Sequence, residues 1–263
     1  SRALALSALA EKLPDILPEA LAAARAIQHE FPRALALSAL AEKLPELLPE
    51  ALAAARAIQH EFPRALVLSA LADKLPPELL PEALAAARAI QHESFRADAL
   101  SALAEKLPEL LPEALAAARA IQDESYRAQA LSALAEKLPP ELLPEALAAA
   151  RAIQDESSRA DALSALAEKL PELLPEALAA ARAIQDEDSR AQALSALAFG
   201  LSQMPSAKLF PLWRDTLHQL SVRTRRDLLQ DIKALFPVIF ALSGDAATVE
   251  IARAIVDVGR WWK

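Results

Sequence analysis

The feature that most constrains this chain is a self-repeat: a segment beginning RALALSALAEKLP returns with its arginine at positions 2, 33, 64, 96, 127, 159 and 190. The spacing is 31 or 32 residues, the range in which one supersecondary unit cannot bury its own apolar face and must stack on its neighbours. Residues 96–124 and 159–187 are identical, RADALSALAEKLPELLPEALAAARAIQDE, which points to recent duplication or to consensus design.

Each unit divides into two helical halves. In the first copy Ala3, Leu6, Leu9, Ala10 and Leu13 recur at the i, i+3, i+4, i+7 spacing of one apolar helix face, and Pro14 stops the run by disfavouring the α conformation at the residue before it. The second half opens with Pro18 in a first turn and Glu19 at the positive helix end, then continues as LAAARAI, rich in strong helix formers. The two longer units carry their extra residue at Pro76-Pro77 and Pro139-Pro140, which places the turn between the halves there. The expected fold is therefore all-α: a right-handed α-solenoid of stacked helix-turn-helix repeats over 1–202, closed by a continuous C-terminal helical cap over 203–263. The alanine run permits close helix approach.

At the junctions, Ser158-Arg-Ala-Asp161 and Ser189-Arg-Ala-Gln192 have the form of a capping box. Phe31-Pro32 and Phe62-Pro63 stand there in the second and third units. From Phe199 the repeat decays, and seven of the eleven aromatics (Phe199, Phe210, Trp213, Phe236, Phe240, Trp261 and Trp262) fall in the tail, as expected of bulky residues closing an alanine-rich stack. Gly244 and Asp245 have the chemistry of a helix end followed by an N-cap.

The paired short helices, the closely packed alanines and the proline near each unit boundary resemble the tetratricopeptide class of repeats, which implies a groove that takes up protein or peptide. The closing IARAIVDVGRWWK is similar to the end of helical sensor arrays in bacterial STAND-class signalling ATPases, which implies a self-associating array.

Composition narrows the chemistry. Cysteine is absent, so disulfides, thiolate metal sites and cysteine nucleophiles are excluded, and the three glycines (Gly200, Gly244 and Gly259) are too scattered for a phosphate-cradling loop. No G-x-S-x-G elbow occurs. No catalytic residue, cofactor or metal is expected. The net charge of −8 is uneven: residues 1–189 hold 18 basic and 30 acidic side chains, residues 190–263 hold 10 and 6. An acidic array argues against binding nucleic acid through phosphates. The longest uncharged run, 191–207, includes Gln192, Ser195, Ser202, Gln203 and Pro205 and is shorter than the ~20 apolar residues of a membrane span. With no apolar leader after Ser1-Arg2, the expectation is a soluble chain, cytoplasmic or recombinant.

Three features remain as candidate sites. His29, His60 and His92 form a ladder near the ends of the second helices, but helix layers on the order of 10 Å apart cannot share one metal ion. Arg223, Arg225 and Arg226 read as a solvated basic cluster, and the recurring serines (Ser7, Ser38, Ser69) as surface hydroxyls. The most informative column is Leu4, Leu35, Leu66, Asp98, Gln129, Asp161 and Gln192, which lies off the apolar face and changes from leucine to polar along the chain. With Phe31 and Phe62 it forms either an exposed strip for a protein, a peptide or a second copy through the N-terminal repeats, or a set of hydrophobic staples at helix starts.

Overall fold

A computed structural model of the chain describes residues 16–261, all helix, turn and loop among the described residues. Leu4 lies outside them. The chain forms two compact units, residues 1–138 and 139–263, described separately.

In the first unit the helices alternate between two kinds. The starting helices are α2 (Glu30–Leu40), α4 (Glu61–Ala72), α6 (Glu93–Leu103) and α8 (Glu124–Ala135); the alanine-rich ones are α1 (Leu17–Arg25), α3 (Leu48–Ala57), α5 (Leu80–Arg88) and α7 (Leu111–Ala120). Each alanine-rich helix has a proline in its first turn, an acidic residue beside it and an arginine in its last turn. That order suits the missing proline N–H and the helix dipole. A short 3₁₀ turn precedes α3, α5 and α7, at Pro45–Leu47, Pro77–Leu79 and Pro108–Leu110. The doubled prolines fall in the turns, as their insertion pattern predicts.

Consecutive starting helices pack on one another, α2 on α4, α4 on α6, α6 on α8. Their buried faces carry Leu37, Leu40, Leu68, Leu71, Leu100 and Leu103, all 1% exposed or less. The alanine-rich helices bury Ala51, Ala55, Ala83, Ala87, Ala114 and Ala118 completely. With no side chain beyond Cβ at these contacts, the neighbouring leucines meet backbone, and a larger residue would have to displace them.

Between successive alanine-rich helices run bidentate ion pairs, Arg25 to Glu50 and Arg88 to Glu113, both closing at 2.6 Å, with Arg56 paired to Glu82 through one nitrogen. The arginine holds the Glu50 and Glu113 carboxyls below their ordinary range, through its hydrogen bond above all. These pairs are solvent-exposed and each adds little to stability.

The second unit opens with the same pattern: α9 (Leu143–Arg151), α10 (Glu156–Lys169), the turn Pro171–Leu173, α11 (Leu174–Ala183) and α12 (Glu187–Ser202). Arg151 pairs with Glu176 at 2.6 Å. Three further helices follow, α13 (Ser206–Leu220), α14 (Arg225–Ala234) and α15 (Phe236–Trp261), the last interrupted at Gly244. Gly244 has φ 62°, a backbone conformation that costs glycine least, as its reading as a helix end requires. Phe210 and Pro211 on α13 continue the Leu-Pro step of the repeats, and Arg182 meets Thr216 Oγ1 at 3.0 Å where its counterparts meet a glutamate. α13 packs on α11, while α12 packs on α14 and α15.

α14 is tied to α12 through a buried ion pair. Arg190 and Asp231 are both fully buried, with Arg190 Nε donating to Asp231 Oδ2 at 2.9 Å. Burial pushes the Asp231 carboxyl above its ordinary range, against the opposing pull of Arg190. No described helix is long and apolar enough to cross a membrane.

Candidate partner-binding surface

The junctions between hairpins position the candidate residues, and the backbone there departs from the sequence reading. Helices start three residues earlier than the Ser-x-x-Asp/Gln pattern implies. Asp155 and Asp186 are the N-caps, and their Oδ1 atoms accept the backbone N–H of Ser158 and Ser189, each at 2.8 Å. Asp123 does the same for Tyr126 at 3.0 Å. The capping-box reading of Ser158 and Ser189 is therefore corrected: the serines sit within the first turn as capped residues, not as caps.

At the earlier junctions the N-cap position belongs to the histidines. His29, His60 and His92 adopt a similar extended conformation (φ −80° to −69°, ψ 121° to 129°) to the capping aspartates but accept no backbone N–H of the helix. The ladder is thus a set of helix starts whose side-chain cap is missing. His92 instead places Nδ1 2.9 Å from Ser94 Oγ and stacks on Phe95, with centroids 4.3 Å apart. Phe62 meets Phe95 from the preceding junction at 5.4 Å. Glu61 braces this loop by accepting the N–H groups of Gln91 at 2.8 Å and His92 at 2.9 Å, and these two bonds depress its carboxyl pKa.

The arginine that opens every repeat also has a structural task that the sequence did not disclose. Arg96 Nη1 reaches back to the carbonyls of Ile90 and Gln91, Arg127 to Ile121, Arg159 to Ile153 and Gln154, and Arg190 to Ile184 and Gln185, at 2.8–3.2 Å. These carbonyls lie just past the alanine-rich helix, where helical partners run out. In these four repeats the arginine is a C-cap supplied from the next helix.

Phe31 and Leu35 lie four residues apart on α2, as do Phe62 and Leu66 on α4, so each pair shares a helix face. Phe62 is 59% exposed and Leu66 46%, whereas Phe31 and Leu35 are half-buried. Phe62 stands in the first turn of α4 and turns toward Phe95 of the next junction, so it is not a staple preceding the cap. Further along the column Asp98, Gln129, Asp161 and Gln192 are exposed. Neighbouring protein still displaces part of the hydration of Asp98 and Asp161 and raises both carboxyl pKa values, the Asp155 charge adding to the effect at Asp161. Phe31, Leu35, Phe62 and Leu66, together with Asp98 and Gln129, belong to the first unit. Asp161 and Gln192 belong to the second.

The recurring serines are not surface hydroxyls throughout. Ser38 and Ser101 are buried, and Ser38 Oγ donates to the Ala34 carbonyl at 2.8 Å, one turn back, as Ser164 does to Ala160 at 2.6 Å. A hydroxyl that bonds its own helix can be buried without a partner elsewhere.

Within the second unit an open groove of about 930 Å³ runs along the α10–α11 turn and the α12–α13 connection. Ala167, Leu174, Phe199, Met204 and Pro205 line it, with Glu168, Glu172 and Lys208 as its charged members. Among the described residues no group of three or more His, Asp or Glu side chains is placed to hold a metal ion.

No family model matches the sequence, and no curated protein matches it at a significant level. Among solved structures, a computationally designed self-assembling cyclic protein homo-oligomer is similar at 21% identity over 95% of this chain and 96% of its own, with a TM-score of 0.24. That score is below the level of chains sharing one fold, so the likeness assigns this chain neither an architecture nor a function.

Proposed function

We propose that the chain is a non-enzymatic helical-repeat scaffold that binds a protein or peptide through the strip of the first unit formed by Phe31, Leu35, Phe62 and Leu66, continued in the polar residues Asp98 and Gln129. The observation that carries this reading is the solvent exposure of Phe62 and Leu66 on one face of α4, beside the half-buried Phe31–Leu35 pair of α2. Large apolar side chains gathered on one face mark interaction surfaces more often than scattered ones. Replacement of leucine by Asp or Gln in later repeats gives the strip a direction, so an extended ligand has an apolar end and a polar end. Near-identity of the repeats fits a scaffold that is either engineered or recently duplicated.

The discriminating experiment compares the wild-type chain with Leu35→Gln/Leu66→Gln/Phe62→Ser in a capture assay, using Val222→Ser as a surface control. A ligand retained by wild type and the control but lost by the triple variant supports the strip. Equal recovery by all three overturns it. In the second reading, the same strip joins two chains through the N-terminal repeats. Light scattering then gives a concentration-dependent mass for wild type and a monomer for the triple variant.

A further inference from the structure

Two lysines of the first unit reach back across the stack, and the equivalent position of the second unit is a glycine. Lys74 Nζ donates to Glu42 Oε1, and Lys137 Nζ pairs with Glu105 Oε1, both at 2.6 Å. Lys137 Nζ also donates to the Ser101 carbonyl at 3.3 Å. Counted from the arginine that opens each repeat, Lys74, Lys137 and Gly200 are equivalent, as are Glu105 and Glu168, and Ser101 and Ser164. Gly200 on α12 therefore leaves the Glu168 carboxylate and the Ser164 carbonyl of α10 without the ammonium that their counterparts receive. All three residues line the open groove of about 930 Å³. The preceding position changes as well: Phe199, 73% exposed, stands where Asp73 and Glu136 stand in the first unit, so an acidic neighbour is exchanged for an apolar wall.

We propose that this groove binds a partner peptide through a lysine flanked by apolar residues, the partner's ammonium taking the place that Lys137 fills in its own layer. The molecule itself supplies the geometry, since Glu105 and the Ser101 carbonyl already hold an ammonium in the arrangement that Glu168 and Ser164 repeat. Charge selects the same occupant. Glu168 and Glu172 face Lys208 as the charged members of the groove, which leaves it acidic. The aliphatic stem of a lysine packs on apolar surface while its head reaches a carboxylate. Size calls for more than an alkylammonium, because the groove is as large as the pockets of about 300–1,000 Å³ that take whole ligands. Phe199, Met204 and Pro205 receive the apolar neighbours of the lysine.

The test is titration calorimetry of the full chain with a short end-blocked peptide carrying one lysine between leucines, its norleucine counterpart, and n-butylammonium. The lysine peptide should bind about tenfold more tightly than the norleucine peptide, as for a hydrogen bond between charged groups. n-Butylammonium should bind far more weakly than either peptide. Glu168→Gln changes an exposed side chain, so helicity is kept, and it should remove the preference for lysine over norleucine. Gly200→Lys returns the repeat's own lysine to the site and should abolish binding of the lysine peptide. A Cβ at this position stands 3.1 Å from Leu174 Cδ2, the end of a flexible side chain. Glu105→Gln, in the layer that Lys137 already fills, should change nothing. Equal affinity for the two peptides, tight binding of n-butylammonium alone, or a lysine preference that survives Glu168→Gln would each overturn the proposal. So would a concentration-dependent mass of the chain alone that Glu168→Gln abolishes, because the occupant would then be a second copy.

Discussion

Two kinds of junction connect the hairpins of this chain, and the contrast between them separates what holds a repeat together from what it offers to its surroundings. At residues 123, 155 and 186 an aspartate caps the next helix, and at 155 and 186 the three residues that follow are all acidic or serine. At residues 29, 60 and 92 a histidine takes the same backbone conformation without capping, and an aromatic follows within three residues. Tyr126 makes the junction at 123 intermediate, combining an aspartate cap with an aromatic 53% exposed. The early junctions thus give up a helix cap, and at residue 60 the aromatic that follows, Phe62, is exposed. A third arrangement occurs at Arg190, where the same recurring arginine that is partly exposed elsewhere is sealed against Asp231.

The largest expected effect comes from breaking that seal. Asp231→Ala leaves a buried guanidinium without its counter-charge and should destabilise the second unit by about 3–5 kcal/mol, whereas Arg190→Met/Asp231→Leu should cost far less. Urea denaturation curves measure both, and equal losses would show that packing, not charge, holds α14. Next comes the alanine contact. Ala83→Leu, which forces a leucine into a fully buried site, should cost about 1–3 kcal/mol, while Ala85→Leu, at an exposed position on the same helix, should be close to neutral.

The caps give a smaller and more direct comparison. Asp155→Ala should lower stability by about 1 kcal/mol and His60→Ala by almost nothing, since only the aspartate accepts a helix N–H. His60→Asp should raise stability by about 0.5–1 kcal/mol, because the backbone is already in the capping conformation. If the two alanine variants melt alike, the cap is not what distinguishes the junctions.

Smallest is the pH effect at Glu61, whose folded-state pKa lies below its unfolded value. The stability it contributes is present above the unfolded pKa and is lost as pH falls through the folded one. Between pH 5 and pH 3, Glu61→Gln should therefore show a shallower decline in denaturation midpoint than wild type.

Much of this organisation is legible in the sequence because it is local. Pro76-Pro77 and Pro139-Pro140 fix the turns through backbone restriction, and Leu66 at its off-face spacing predicts the exposure that is found. Ser38 shows where local reading stops: a helix-bonded hydroxyl and a surface hydroxyl have the same sequence signal, and packing of α2 against α3 and α4 separates them. The contact of Arg182 was hidden for a related reason. Thr216 replaces the glutamate of the repeats in letters while Arg182 keeps a polar contact in space.

The sequence by itself determined the period, the two helices per unit, the place of the turn and the unequal charge of array and tail, because proline geometry, helix propensity and apolar spacing act within a few residues. Only the tertiary structure decided which residues cap, which polar groups are buried and what the recurring arginine does. Arg190 meets carbonyls five and six residues back and a carboxylate 41 residues ahead, and no local pattern encodes a pairing made by stacking one helix on another.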